Sequence, residues 1–215
     1  MAYVDLYCER LVPGLLAEPV NASTNLAFFV AAWVLWRETR QQGTRPPEIL
    51  LLIGLIVAIG IGSSLFHTFA ETWARWADTI PILLFQLAFL WAYSRQVMQW
   101  GIAPAAILLA AFLAAGLYAR EFPEPFNSSL FYAPAIAVLL GLGVYHWLRA
   151  GTGRALLFAA AGVFVVSLFF RTVDSGICSQ FPLGTHFLWH LLNPVVLYLC
   201  VQALYAAMSA RVGAR

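Results

Sequence analysis

Polar side chains at helical spacing interrupt two otherwise apolar stretches of the sequence. In GSSLFHTFAETWARWADTIP, Ser63 and His67 stand four positions apart, and Asp78 follows them. In THFLWHLLNP, His186 and His190 are also four positions apart. Residues at i and i+4 share one face of a helix, so each pair directs two polar groups the same way.

Three of these residues are histidines, whose imidazoles are common zinc ligands. An H-x-x-x-H pair presents two imidazoles to one point, as zinc-binding helices do. His67 on a facing helix would complete a set of three and leave the fourth position for water, which is the composition of a catalytic zinc site. The pattern therefore predicts zinc bound by His67, His186 and His190. The fourth histidine, His146, is interpreted as a core residue bonded to a neighbouring hydroxyl or carbonyl.

The composition places these residues in a membrane protein. Of the 215 residues, 62% are hydrophobic and only 10% are charged, and the mean hydropathy is +0.80. A soluble domain is nearer half apolar and a quarter charged. The net charge of +2 is too small to indicate a nucleic-acid partner. We therefore expect an integral membrane protein whose solvent includes lipid.

Seven apolar runs have about the length that a membrane-spanning helix needs. Runs of this length without β alternation indicate helices, because backbone groups in lipid must find their hydrogen-bond partners within the segment. We predict a single all-α domain over residues 1–215, with residues 1–21 as a segment outside the first helix. The runs cover residues 22–37, 47–66, 79–98, 101–119, 130–148, 154–173 and 185–208.

The arginines predict how the helices are oriented. Eight of the twelve lie on the side of the C-terminus, and short loops rich in arginine stay in the cytoplasm. The N-terminus and the polar residues at that end are then outside. We expect a multi-pass protein, in the bacterial inner membrane, with its site toward the periplasm. The eight are Arg37, Arg40, Arg45, Arg95, Arg149, Arg154, Arg211 and Arg215.

Taken together, these motifs resemble the alkaline ceramidases, in the wider superfamily that includes adiponectin-receptor-like proteins. The resemblance is carried by S-x-x-x-H-x₁₀-D, by H-x-x-W-H near the C-terminus, and by DLYCERLVPGLLAEPVNASTN before the first helix. It implies a hydrolase that cleaves the amide bond of ceramide or a related N-acyl lipid to a sphingoid base or amine and a fatty acid. It also implies that the zinc ligands are His67, His186 and His190, and that the family's serine and aspartate are Ser63 and Asp78.

Both Asp78 and Ser63 suit amide hydrolysis. Zinc lowers the pKa of a bound water to about 7, and Asp78 could take its proton and pass it to the leaving amine. Ser63 could donate a hydrogen bond to the developing oxyanion. The alternatives are that Asp78 is the N-cap of the third helix and that Ser63, in GIGIGSS, only lets helices approach closely.

Acidic residues before the first helix suggest a second metal, since oxygen ligands at short spacing suit calcium. The resemblance implies a calcium site here, in which Tyr7 offers its backbone carbonyl. Three features depart from the family pattern: one extra residue separates Asp5 from the Cys-Glu pair, Arg10 brings a positive charge, and Leu11 stands about where an asparagine ligand is expected. The alternative is a solvated acidic loop held by Arg10. The candidate calcium ligands are Asp5, Tyr7, Glu9 and Glu18.

Cysteine positions suggest one covalent link. Cys8 and Cys178 both lie on the predicted outer side, where a disulfide can persist. The resemblance implies that these two residues pair. Cys200 lies deep in the last apolar run and is interpreted as a packing residue.

Two functions other than hydrolysis remain open from the sequence. One is a seven-helix, receptor-like protein that binds lipid and whose metal is structural. The other is a proton or ion carrier that uses the histidine and aspartate cluster and needs no metal. The enzyme is favoured because a carrier needs neither three converging histidines nor an adjacent serine and aspartate. Its predicted partner is a ceramide-like lipid from the bilayer.

Overall fold

The computed structural model describes residues 3–15, 17–43, 45–122, 126–149 and 153–212. Within these ranges the chain is helical and contains no strand; Tyr3 and Glu71 form an isolated bridge. The predicted all-α fold is therefore confirmed. The helices are α1 (Pro19–Thr24), α2 (Leu26–Gln41), α3 (Pro47–Phe69), α4 (Thr72–Ala92), α5 (Ile102–Ala119), α6 (Ala133–Arg149), α7 (Leu156–Val173) and α8 (His186–Val212).

Seven of these helices, α2 to α8, are long. Among the described residues, six helical segments are long and apolar enough to cross a membrane, which confirms a multi-pass membrane protein. The remaining long helix, α2, has 16 residues and is shorter than any of the six. The six segments are Pro47–Phe69, Thr72–Val97, Ile102–Ala119, Ser129–Arg149, Leu156–Gly176 and His186–Arg211.

The helix predicted for residues 79–98 begins earlier in the structure, at Thr72. Its first turns contain arginine and the exposed residues Trp73 and Trp76, which suit a membrane–water interface but do not lengthen an apolar run. Asp78 consequently lies inside α4, and Glu71 holds the N-cap position. The interpretation of Asp78 as the helix cap is therefore wrong.

Helix packing brings the ends of distant segments together. Consecutive pairs α3–α4 and α7–α8 pack along each other, and α2 packs against both α3 and α8. The short helix α1 also contacts both α3 and α8. The C-terminal end of α3, the N-terminal end of α8 and α1 therefore meet at one end of the bundle, which we call the site end.

A close backbone contact joins α3 to α4 at the site end. Pro81 has no N–H, so the carbonyl of Ala77 lacks its usual partner within α4. Gly62 of α3 lies against that carbonyl: a Cβ on Gly62 would be 1.9 Å from the Ala77 oxygen and 3.0 Å from the Asp78 nitrogen. Only glycine permits this approach, and it places the neighbouring Ser63 beside Asp78.

We predict that Gly62→Ala destabilises the protein, because the added methyl group meets backbone atoms of α4 that cannot rotate away. Overpacking of this kind costs about 1–3 kcal/mol or more. The measurement is the Tm in detergent. Gly54→Ala on the same helix is the control, since a Cβ there would meet no atom within 4 Å. Equal Tm values for the two variants would contradict the close contact.

Candidate metal centre

Three histidines meet at the site end. His67 lies in the last turn of α3, and His186 and His190 lie in the first two turns of α8. All three are buried, and one ligand atom from each lies within 4.8 Å of the others. The ring centroid of His190 is 4.5 Å from that of His67 and 4.6 Å from that of His186. The convergence expected from their spacing is present, and zinc binding by these residues stays a prediction.

The helix α1 orients two of the three rings. Glu18, at its N-cap, places Oε2 2.5 Å from Nδ1 of His67. Thr24, its last residue, places Oγ1 3.2 Å from Nδ1 of His190. Histidines that bind metal through one ring nitrogen usually donate the other N–H to such an oxygen. These contacts leave Nε2 of both rings for a metal ion.

His186 is held in a different way. Its ring stacks on Tyr7, with the centroids 3.5 Å apart and the planes 13° from parallel. Its Nδ1 is buried without a hydrogen-bond partner among the described residues. A buried nitrogen without a partner is unusual in a protein interior. The donor set itself, three buried imidazoles with one ligand atom each within 4.8 Å of the others, fits a zinc ion.

The Asp174 carboxylate fixes the start of α8. Its Oδ1 accepts the backbone N–H groups of Thr185 and His186, at 2.6 and 2.9 Å, and its Oδ2 accepts that of Cys8 at 3.1 Å. The predicted disulfide between Cys8 and Cys178 is present. One carboxylate and one covalent bond thus hold the N-terminal segment against the beginning of the helix that carries two of the histidines.

Both carboxylate oxygens of Glu18, a predicted calcium ligand, contact protein groups. Oε1 lies 2.5 Å from Nε of Arg10, and Oε2 accepts a hydrogen bond from Asn21 at 3.0 Å in addition to its contact with His67. Burial raises the pKa of the Glu18 carboxyl, but the hydrogen bond and charge of His67, with the hydrogen bonds of Arg10 and Asn21, outweigh burial and hold the pKa below its usual range. Glu18 is therefore ionised at neutral pH beside a histidine of the centre.

The other candidate calcium ligands are the Glu9 carboxylate, the Tyr7 carbonyl and the Asp5 carboxylate. The two oxygens of Glu9 accept the backbone N–H groups of residues 20–21, at 2.6 and 2.8 Å. The carbonyl of Tyr7 accepts the backbone N–H of Arg10 at 3.2 Å. Asp5 is exposed. Calcium binding by these residues stays a prediction.

An apolar pocket begins beside the three histidines. Ser63, one helical turn from His67, and Asp78 both line it, and the Ser63 side chain is hydrogen-bonded to the Asp78 carboxylate. Trp189, which directly precedes His190, also lines the pocket. The pocket holds about 800 Å³ of empty space, open space at its mouth included. Its lining also contains Phe28, Ile59, Ile82, Phe85, Gln86, Phe89, Leu90, Phe112, Tyr132, Ala135, Val138, Leu139, Phe164, Asn193, Val196, Leu197 and Cys200.

Arg171 is a charged residue beside this pocket to which the sequence assigned no role. The carbon at the centre of its guanidinium lies 5.3 Å from the ring centroid of Tyr132 and 5.8 Å from that of Trp189, and both rings line the pocket. Nη1 donates to the Ser129 hydroxyl at 2.9 Å. Its position at the end of an apolar run could have marked it as a candidate functional residue in the sequence, because charges at membrane depth usually serve a function.

The fourth histidine lies away from the centre. His146 is buried near the end of α6, and its Nδ1 lies 2.8 Å from the hydroxyl of Tyr93. This agrees with its interpretation as a core residue bonded to a hydroxyl. Cys200 is buried, as expected, and also lines the pocket.

The fold and the site together define a helical membrane protein with a buried three-histidine centre that adjoins an apolar pocket. The model of the family described as Ceramidase matches residues 4–213. The chain belongs to the ceramidase family, which confirms the resemblance found in its motifs. Membership supports a membrane enzyme that hydrolyses the amide bond of ceramide. No curated protein matches the chain.

We predict that Glu18→Gln weakens zinc binding, because the neutral amide is a poorer partner for the Nδ1–H of His67. Loss of such an orienting group typically costs about 10- to 100-fold in metal affinity. The measurement is competition with a chelator of known zinc affinity. Glu71→Gln is the control, since the Glu71 carboxylate bonds to Trp73 on an exposed surface. Equal zinc affinities in the two variants would rule out the orienting role of Glu18.

Proposed function

We propose that the protein is a zinc-dependent amide hydrolase that takes ceramide or a related N-acyl lipid from the bilayer. The products are a sphingoid base or amine and a fatty acid. The observation that carries the proposal is the position of three buried histidines beside a pocket lined by a hydrogen-bonded serine and aspartate. His67, His186 and His190 would hold the ion. When bound, zinc supplies the Lewis acidity that makes water a nucleophile near neutral pH.

The lining of the pocket suits the hydrocarbon chain of a lipid. Phenylalanine side chains from several helices form much of its surface. A lipid that enters from the bilayer exchanges one apolar surrounding for another, so packing rather than the hydrophobic effect sets the fit of its chain. The few polar groups in the lining then decide where the amide lies. Ser63 lies one helical turn from His67, and Asp78 is hydrogen-bonded to Ser63, so we assign the chemistry to these two polar groups of the lining.

Asp78 is assigned the proton transfer. Its carboxylate faces the pocket, and its position inside α4 excludes the role of a helix cap. A carboxylate at this place can accept a proton from the attacking water and deliver it to the leaving nitrogen, which would otherwise depart as an unstable amide anion. A positioned acid–base group of this kind contributes about 10²- to 10⁴-fold to the rate.

Ser63 is assigned the stabilisation of the oxyanion. In the structure its side chain is hydrogen-bonded to Asp78, which orients the carboxylate. Rotation about χ1 would direct the same hydroxyl toward the carbonyl oxygen of a bound amide. A hydrogen bond that strengthens as negative charge develops on that oxygen lowers the barrier, by about 3–4 kcal/mol where such a donor has been removed from other enzymes.

We also propose that the site end faces outward. Most arginines of the chain lie toward the opposite end of the helices, and arginine-rich short loops remain in the cytoplasm. In a bacterial cell this orientation puts the metal centre on the periplasmic side of the inner membrane. Labelling of single introduced cysteines from outside intact cells tests the orientation.

We predict that His190→Ala loses both zinc and hydrolysis, because two imidazoles cannot provide the three-ligand set. Zinc is measured by elemental analysis of purified protein, and hydrolysis with a panel of N-acyl lipids. We expect about one zinc ion per chain in the unsubstituted protein. Full zinc occupancy in His190→Ala would overturn the ligand assignment.

We predict that Asp78→Asn and Ser63→Ala keep zinc and Tm but lose turnover, by about 10²- to 10⁴-fold for Asp78→Asn. Asparagine keeps the size of the side chain but cannot accept the proton. Ser64→Ala is the control, since the Ser64 hydroxyl bonds to the Gly60 carbonyl within α3 at 2.7 Å and does not line the pocket.

The same preparations distinguish the other functions. Near-normal turnover in both pocket variants would remove Asp78 and Ser63 from the mechanism. Tight lipid binding by the zinc-loaded protein without any turnover would favour a receptor-like protein. Ion flux in liposomes that persists without metal would favour a carrier.

A further inference from the structure

Arg10 lies at the centre of the N-terminal segment with its charged group buried. Only 4% of its surface is exposed. Its guanidinium makes three contacts with oxygens: Nε with Oε1 of Glu18 at 2.5 Å, Nη1 with the carbonyl of Gly14 at 3.1 Å, and Nη2 with the carbonyl of His67 at 2.9 Å. One cation therefore joins the N-terminal loop, the start of α1 and the end of α3.

This arrangement satisfies the conditions under which a buried charge is tolerated. A guanidinium removed from water is strongly destabilising unless a counter-charge and hydrogen-bond acceptors replace its hydration. Glu18 supplies the counter-charge, and two carbonyls accept from the remaining sides. A carboxylate and backbone carbonyls are also the ligands that calcium takes in proteins. Here such oxygens are directed at a guanidinium.

The residues proposed for calcium fit that ion poorly as they are placed. Calcium takes about six to eight oxygen ligands. The Glu9 oxygens and the Tyr7 carbonyl already accept backbone N–H groups, and Leu11 is 75% exposed and has no side-chain oxygen. A calcium ion bound to Glu18 would also lie next to the positive charge of Arg10.

We propose that Arg10 is the fixed cation of the N-terminal segment and that it makes calcium unnecessary for holding this segment on the metal centre. Arg10 acts as a positioning residue. It holds Oε1 of Glu18, and Oε2 of the same carboxylate orients His67. The proposal does not depend on which reaction the centre catalyses, because its tests measure stability and metal binding rather than turnover.

The first test is a calcium titration of the full-length, zinc-loaded protein. A ligand that binds only the folded state raises stability by RT ln(1 + [L]/Kd). We expect the Tm to be the same in a calcium-selective chelator and in millimolar calcium, with zinc content checked in each sample. A Tm that rises with calcium concentration would overturn the proposal.

The second test removes the cation. Arg10→Gln leaves the Glu18 carboxylate buried without its counter-charge, and we expect the Tm to fall by roughly 6–20 °C together with a loss of zinc affinity. Arg10→Lys keeps the charge but has one ammonium in place of the planar fork, so we expect values between those of Arg10→Gln and the unsubstituted protein. Arg120→Gln, at an exposed position after α5, is the matched control and should change neither quantity.

Both quantities are needed to separate positioning from general stability. Equal Tm and zinc affinity in Arg10→Gln and Arg120→Gln would overturn the proposal. If Arg10→Gln does not yield folded protein, the calcium titration of the unsubstituted protein and the comparison of Arg10→Lys with Arg120→Gln still decide it.

Discussion

The contact between the Glu18 carboxylate and Nδ1 of His67 is the interaction that joins the N-terminal segment to the candidate metal centre. Three imidazoles from two helices far apart in sequence must each present one nitrogen to a common point, yet each ring can rotate about its χ2 bond. Glu18 fixes one ring, Thr24 fixes a second, and stacking on Tyr7 holds the third. All three orienting residues come from the N-terminal segment and α1. That part of the chain is therefore a component of the site rather than a cover over it.

Residues 3–15 and 17–18 of the N-terminal segment have little regular structure, so polar and covalent contacts must hold them in place. The backbone N–H of Val4 donates to the carbonyl of Ala70 at the end of α3, and that of Cys8 donates to Asp174 ahead of α8. The disulfide to Cys178 adds a covalent link to the same turn. Each contact leads to the end of a helix that carries histidines. The segment and the helix ends therefore hold one another in place. The contacts also give backbone N–H groups of the segment partners within the protein.

The parts of the structure that local periodicity determines could be predicted from the sequence, and the parts that depend on contacts between distant segments could not. Residues at i and i+4 identify Ser63 with His67 and the histidine pair of α8 without knowledge of the fold. The partner of Glu18 could not be found in this way, because residues 1–21 have no periodicity and acidic residues before a helix suit solvent, calcium or an ion pair equally well. The start of α4 was missed because interfacial aromatic and charged residues do not extend an apolar run. The sequence pattern likewise does not identify the backbone segment that lies against Gly62.

The helix α3 connects the candidate metal ligands with the proposed proton transfer. It carries His67 and Ser63 one turn apart, a separation of about 6 Å along the axis, and the adjacent Gly62 meets the backbone of α4 next to Asp78. The distance from His67 to the Asp78 carboxylate is thus set by one turn of α3 and one backbone contact. Side-chain packing in a membrane can adjust through changes of rotamer, but a carbonyl pressed against a glycine has no such freedom. The relative position of His67, Ser63 and Asp78 therefore does not depend on the lipids that contact the outer faces of the same helices. The side chains that line the rest of the pocket can still change rotamer to fit the hydrocarbon chain of a lipid.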